Sequence, residues 1–207
     1  MNYIENIFVC LAAPLLISVL CMRGKRRIIL FLMGGMTSCL LSSYISTFLA
    51  EVQKADLVSA SLEISPLVEE VMKLFPVLFY ILIFEPNKEY ASNSIMLTAV
   101  GFATFENVCF LTQNGAADLI HLTIRGFGTG AMHVVCGNII AFGLLHLWDR
   151  DSLRAAGTLA LLSVAVSYHA VFNILVSQNG VVSMIGYSIP VITTIFSLMV
   201  RKKLKNN

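Results

Sequence analysis

The sequence predicts an all-α membrane protein, a polytopic bundle of about seven transmembrane helices with its N-terminus outside and its C-terminus inside. Three observations carry that expectation. Hydrophobic residues make up 57% of the 207-residue chain and charged residues 13%, against about 25% charged in an average soluble domain. Seven stretches are long and apolar enough to cross a bilayer, which takes roughly 20 helical residues. The basic residues gather on one side when those stretches alternate in direction. So few charges could not cover a soluble domain of this size. The composition also excludes a disordered chain and a nucleic-acid binder with a basic face. The net charge of +2 discriminates little.

The first span is expected over 3–22. A secretory signal peptide carries its positive charge ahead of the apolar run. Here Glu5 precedes the run, and Arg23, Lys25, Arg26 and Arg27 follow it, so the segment is read as a span. The second span, 28–49, leads to the side where Lys54 is the one basic residue outside a span. The third, 66–84, opens on Pro66, a residue favoured in a first helical turn, and carries Glu69, Glu70 and Lys73. Lys88 lies in the loop before the fourth span, 94–112, which holds Glu106. The fifth, 120–147, holds Arg125, His133 and five glycines. Gly126 and Gly130 form a G-x-x-x-G that lets a neighbouring helix approach closely. Arg150 and Arg154 follow, then the sixth span, 155–177, with His169 and Asn173. The seventh, 182–200, ends in Arg201, Lys202, Lys203 and Lys205. Eleven of the fourteen basic residues thereby share the inner side.

Short polar loops and the lack of linkers or repeats imply one domain over 1–207, with the polar motifs confined to 66–173. Cys10, Cys21, Cys39, Cys109 and Cys136 all fall in apolar stretches, are odd in number and form no C-x-x-C pair. Free buried thiols are expected.

An ionisable side chain at the bilayer centre costs on the order of 3 kcal/mol on insertion scales, which marks it for function. Seven such groups lie within four consecutive spans: Glu69, Glu70, Lys73, Glu106, Arg125, His133 and His169. At 1.5 Å per residue, Glu69 and Glu70 lie about 5 Å below the outer face, Glu106 roughly 9 Å, His169 about 12 Å and His133 about 20 Å. The convergence points to one site in the outer half of the bilayer. His121 and His146 sit at span ends and are read as interfacial. Each group also has a structural reading. Glu69 and Glu70 suit a helix N-terminus. Lys73 can neutralise Glu69 at i, i+4 or Glu70 at i, i+3. Glu106 could be a helix–helix contact, and either histidine a packed polar residue. Asn173, four residues after His169, shares its helix face.

The chemistry of this set fits peptide hydrolysis, with Glu69 or Glu106 as base and His169 with Asn173 as oxyanion donors. It also fits a metal: Glu69, Glu106, His133 and His169 can supply three ligands to Zn²⁺ and leave a position for water. The local zinc signature H-E-x-x-H is missing. The expected cofactor is therefore Zn²⁺ or none.

Four motifs occur in order. They are Glu69-Glu70-x-x-Lys73, Phe102-x-x-Phe105-Glu106, Arg125 eight residues before His133, and His169-x-x-x-Asn173. Together, over 66–173, they resemble the PrsW family of intramembrane proteases, distant relatives of the CAAX prenyl endopeptidases and bacteriocin-processing membrane proteases. The resemblance implies an endopeptidase that cuts a single-span membrane protein near the extracytoplasmic face of a bacterial cytoplasmic membrane. It suggests site-1 cleavage of an anti-sigma factor. It assigns Glu69 as general base with Glu70 its essential neighbour, Glu106 to the second motif, His133 to the intermediate histidine, and His169 and Asn173 to the oxyanion. Lys73 and Arg125 support the carboxylates. A proton-coupled transporter or channel could use the same groups, but the sequence shows no inverted repeat and its polar groups favour one side. A non-catalytic scaffold with small-residue faces is the third reading. No nucleic-acid partner is expected.

Overall fold

The computed structural model describes residues 3–84, 87–115, 118–147 and 151–206, and these are helical apart from short connections, with no strand among them. Seven long helices form the bundle: α1 Ile4–Cys21, α2 Arg26–Gln53, α3 Ser65–Phe84, α4 Lys88–Asn114, α5 Leu119–His146, α6 Asp151–Val176 and α7 Val181–Asn206. They match the seven expected spans in order. The two largest changes are of six residues each: α7 runs on to Asn206, and α4 starts earlier because Asn87 caps it, its side chain accepting from Tyr90 N–H.

Five of these helices are long and apolar enough to cross a membrane by length and composition: α1, α2, α4, α5 and α6. In α3 the run is interrupted by Glu69, Glu70 and Lys73, and the apolar part of α7, Val181–Ser197, is shorter. The protein is a multi-pass membrane protein whose outward faces carry large apolar side chains such as Phe79, Leu82, Leu159 and Ile192. Arg150 lies outside the described residues, as do the side chains of His146, Arg154 and the basic tail.

Helices α2 and α4 make the most extensive pair. Their backbones meet at two glycines. A Cβ on Gly35 would lie 2.0 Å from the Thr98 carbonyl oxygen, and one on Gly101 would lie 2.1 Å from that of Leu32. The expected close approach at Gly126 and Gly130 does not occur: nothing stands within 4 Å of a Cβ built on either. These two glycines instead line an open groove between α4, α5 and α7. In α5 the contacts fall at Gly128, against Tyr187, and Gly137, against Met96 and Ala99. A G-x-x-x-G permits approach; which face is used depends on neighbours that spacing does not encode.

Two apolar clusters flank the polar centre. One joins α3, α5, α6 and α7 through Leu74, Val77, Met132, Cys136, Phe172 and Tyr187. The other joins α2 and α4 through Met36, Cys39, Phe102 and Phe105, with Phe8 of α1 edge-on to Phe105 at 5.4 Å. α1 itself packs mainly on α2 and buries only Ala12. All five cysteines are free thiols, with Cys39 and Cys136 buried and Cys10 and Cys21 exposed on α1.

Pro66 does not open a helix. Leu57–Ser59, capped by Asp56, runs into a π-helical segment, Ala60–Ile64, and on into α3. Glu69 and Glu70 therefore lie more than three turns from the first helical residue, and the macrodipole reading of these carboxylates is corrected. That effect fades within the first turn.

Candidate active site

All seven intramembrane ionisable residues belong to one continuous polar chain. Arg125 Nη2 donates to Glu106 Oε1 at 3.2 Å, and Glu106 Oε2 is 2.5 Å from His133 Nε2. Lys73 Nζ donates to His133 Nδ1 at 2.8 Å and to Glu70 Oε1 at 2.6 Å. His169 Nδ1 lies 2.8 Å from Glu70 Oε1, and its Nε2 lies 3.7 Å from Glu69 Oε2. Of the two carboxylates open to Lys73 by spacing, the structure pairs it with Glu70.

These contacts set both tautomers. An ammonium only donates, so His133 Nδ1 accepts, and the Nε2–H donates to Glu106. A carboxylate only accepts, so His169 Nδ1–H donates to Glu70 and leaves the Nε2 lone pair facing Glu69. A ring held this way by a carboxylate is oriented as a metal-ligating histidine usually is.

The electrostatics single out Glu69. Glu70 has Lys73, and Glu106 has Arg125. Among the described residues the Oε2 atoms of Glu69 and Glu70 are both buried without a hydrogen-bond partner, but Glu70 is paired through Oε1, whereas Glu69 has only the longer approach to His169. Removing a carboxylate oxygen from water without a partner is costly. Glu69, His133 and His169 each place one ligand atom within 4.8 Å of the others. An unmatched carboxylate beside two imidazoles, one with a free lone pair, is a donor set that a divalent cation would complete. Of the four expected ligands, Glu106 is not part of this trio.

Burial is heavy elsewhere in the chain. His133 and Glu70 are fully buried, and Lys73 lies against the Phe102 ring at 5.0 Å. Arg125 stacks over Phe110 at 3.8 Å and also donates to Asn107 Oδ1. Breaking a buried ion pair leaves the other charge uncompensated and typically costs about 3–5 kcal/mol. Lys73→Met is therefore expected to lower stability by about that amount. Thermal unfolding in detergent checks it; an unshifted melting temperature would show that Glu70 does not depend on Lys73.

Glu69 and Glu106 open into a cavity of about 750 Å³ that runs up to the α2–α3 connection at Lys54, Ala55 and Leu57. Its α2 wall is polar, formed by Ser42, Ser43, Ser46 and Thr47. The sequence reading missed these residues. The available signal was the spacing of Ser38, Ser42 and Ser46 at steps of four, which places three hydroxyls on one helix face. Ser38 donates to the Met72 carbonyl at 3.0 Å, tying α2 to α3 beside the site.

Two residues lie outside the cluster: His121, read as interfacial, and Asn173, expected at the oxyanion. His121 is exposed, with its ring near Phe110 and Tyr187. Asn173 donates through Nδ2 to the Ser61 carbonyl at 3.0 Å, not into the donor cluster.

A multi-pass helical protein with a buried histidine–carboxylate cluster whose Glu69 and Glu106 face a cavity among its helices falls in the class of intramembrane hydrolases. Residues 25–200 match the PrsW family of intramembrane metalloproteases, and the chain belongs to that family. It is thus an intramembrane protease, a peptide hydrolase. The match runs from the start of α2 into α7 and includes every ionisable residue of the polar chain. No curated protein and no solved structure matches the chain significantly.

Proposed function

We propose that the chain is a zinc endopeptidase that cuts a single-span membrane protein near the extracytoplasmic face of a bacterial cytoplasmic membrane. The observation that carries the metal assignment is the unmatched carboxylate of Glu69 beside His133 and His169. Glu69 and His169 would hold the ion directly, and His133 would complete the set by releasing the Nε2 proton it gives to Glu106; Zn²⁺ suits a site of two nitrogens and one carboxylate with an open position. The chemistry it supplies is Lewis-acid activation of water and of the scissile carbonyl.

The remaining steps belong to the chain. Glu106 faces the cavity with Oε1 held by Arg125, placed to take the proton of the attacking water and return it to the leaving amine. Glu70 fixes the His169 tautomer, and Lys73 keeps Glu70 charged and in place. Ligation makes Glu69 a holder of the ion, which leaves the general base to Glu106.

The orientation supports the side of cleavage. The cavity opens at the α2–α3 connection, and the distribution of basic residues puts that connection outside. Its serine-lined wall gives water a route to the buried site. A membrane-anchored anti-sigma factor is the substrate suggested by the sequence resemblance. The division of roles predicts that Glu106→Gln retains zinc at one equivalent but loses cleavage of a tagged single-span reporter by about 10²–10⁴-fold. Zinc loss in that variant, or cleavage at the parental rate, would refute Glu106 as the base.

A further inference from the structure

The hydrogen bond from Asn173 has a cause in the chain's covalent structure. In an α-helix the N–H of residue i meets the carbonyl of i−4, and in a π-turn that of i−5. Through Ala60–Ile64 the pattern is π, and Ser65 N–H reaches the Ala60 carbonyl. The next N–H in order would come from position 66 and could serve Ser61 or Leu62. Position 66 is proline and has no N–H. The ladder is therefore one donor short at this point, and the Ser61 carbonyl has no N–H of position 66 to accept from. Asn173 Nδ2 supplies a donor to Ser61.

This bond lies one helical turn from the site. On α6, His169 and Asn173 are four residues apart and share a face. On the other side, Glu69 and Glu70 follow Pro66 by three and four residues. α6 therefore grips the π segment through Asn173 and the first turns of α3 through His169.

We propose that Asn173 is a positioning residue: its amide replaces the N–H that Pro66 lacks, braces the π segment against α6 and so holds Glu69 and Glu70 opposite His169. The brace stands on the hydrogen bond alone; its consequence for cleavage rests on the proteolytic reading above. This differs from the oxyanion role implied by sequence resemblance, which would need the same amide free to face the substrate.

Pro66→Ala restores an N–H at position 66 and separates the two roles. The full chain in lipid nanodiscs is compared as parent, Pro66→Ala, Asn173→Ala and the double variant. Amide hydrogen exchange is followed over residues 60–72, with cleavage of a tagged single-span reporter in parallel. Asn173→Ala is expected to speed exchange by about 10-fold. Its cleavage should fall by about 10- to 100-fold, in kcat more than in KM, as for a displaced catalytic group. The double variant should recover both to within about 3-fold of the parent. If Asn173→Ala aggregates, recovery of a monodisperse double variant supports the brace, and no recovery overturns it. Parental exchange in Asn173→Ala also overturns it. Recovered exchange without recovered cleavage would place Asn173 on the substrate and overturn the positioning role. A parent that cleaves no reporter would count against the proteolytic reading, while exchange would still decide the brace.

Discussion

Metal-free Glu69→Gln will fold as well as the metal-free parent or better, while failing to bind zinc and losing cleavage by roughly 10³-fold or more, the scale of losing a base or an electrostatic stabiliser. The stability effect follows from Glu69 being the carboxylate with least compensation. Its Oε2 is buried without a partner, and the nearest ring nitrogen, His169 Nε2 at 3.7 Å, faces it with a lone pair. Replacing that charge by an amide of the same shape removes a desolvation cost, so the melting temperature should hold or rise. Glu70→Gln should do the reverse. Its Oε1 accepts from Lys73 and His169, and losing the charge leaves a buried ammonium uncompensated, at a cost of about 3–5 kcal/mol. Adjacent residues of one type would thus differ in sign. Thermal unfolding of both variants against the parent, all three stripped of metal, checks the pair, with zinc content and reporter cleavage measured alongside. A Glu69→Gln chain that unfolds much earlier than the parent would assign that residue a structural role.

Gly35→Ala and Gly101→Ala should each destabilise the bundle by about 3 kcal/mol or more, at or beyond the upper end for overpacking. The added methyl would meet a backbone oxygen at 2.0 Å or 2.1 Å, and backbone cannot swing aside as a side chain can. The helices would have to separate. Glu106 lies five residues beyond Gly101 on α4, so cleavage should fall along with stability. A displacement of about 1 Å at a catalytic group can cost 10²-fold in rate. Gly126→Ala and Gly130→Ala face open space and lie within a helix. They should be neutral or gain a few tenths to about 1 kcal/mol from helix propensity. Melting curves of all four rank the glycines; equal losses would mean that the α5 pair, too, is packed against a helix.

The bundle was legible because the bilayer imposes lengths and alternation that show directly in hydropathy. The helix order and most boundaries follow from that. The polar centre was legible because charge in hydrocarbon is costly, so Glu106 or His133 stands out against the apolar residues around it. Pairing was less legible. Spacing allowed Lys73 either Glu69 or Glu70, and only the placement of His169 on α6 decides which carboxylate keeps the cation. The π segment was hidden because a one-residue insertion in hydrogen-bond register leaves little trace in hydropathy. Pro66, read as a helix start, marked instead the missing donor that Asn173 would replace. The glycines show the same limit: Gly35 and Gly101 belong to no G-x-x-x-G with each other, being on different helices, yet they make the tightest contact.

Metal dependence of cleavage tests the account most directly. The parent chain is stripped with chelator, its residual metal measured, and its cleavage of a tagged single-span reporter followed before and after one equivalent of Zn²⁺ is restored. The account predicts loss of cleavage on stripping, return with a single zinc per chain, and no return in Glu69→Gln or His169→Ala. Full cleavage by demonstrably metal-free protein would contradict it and return Glu69 to the role of a metal-free general base.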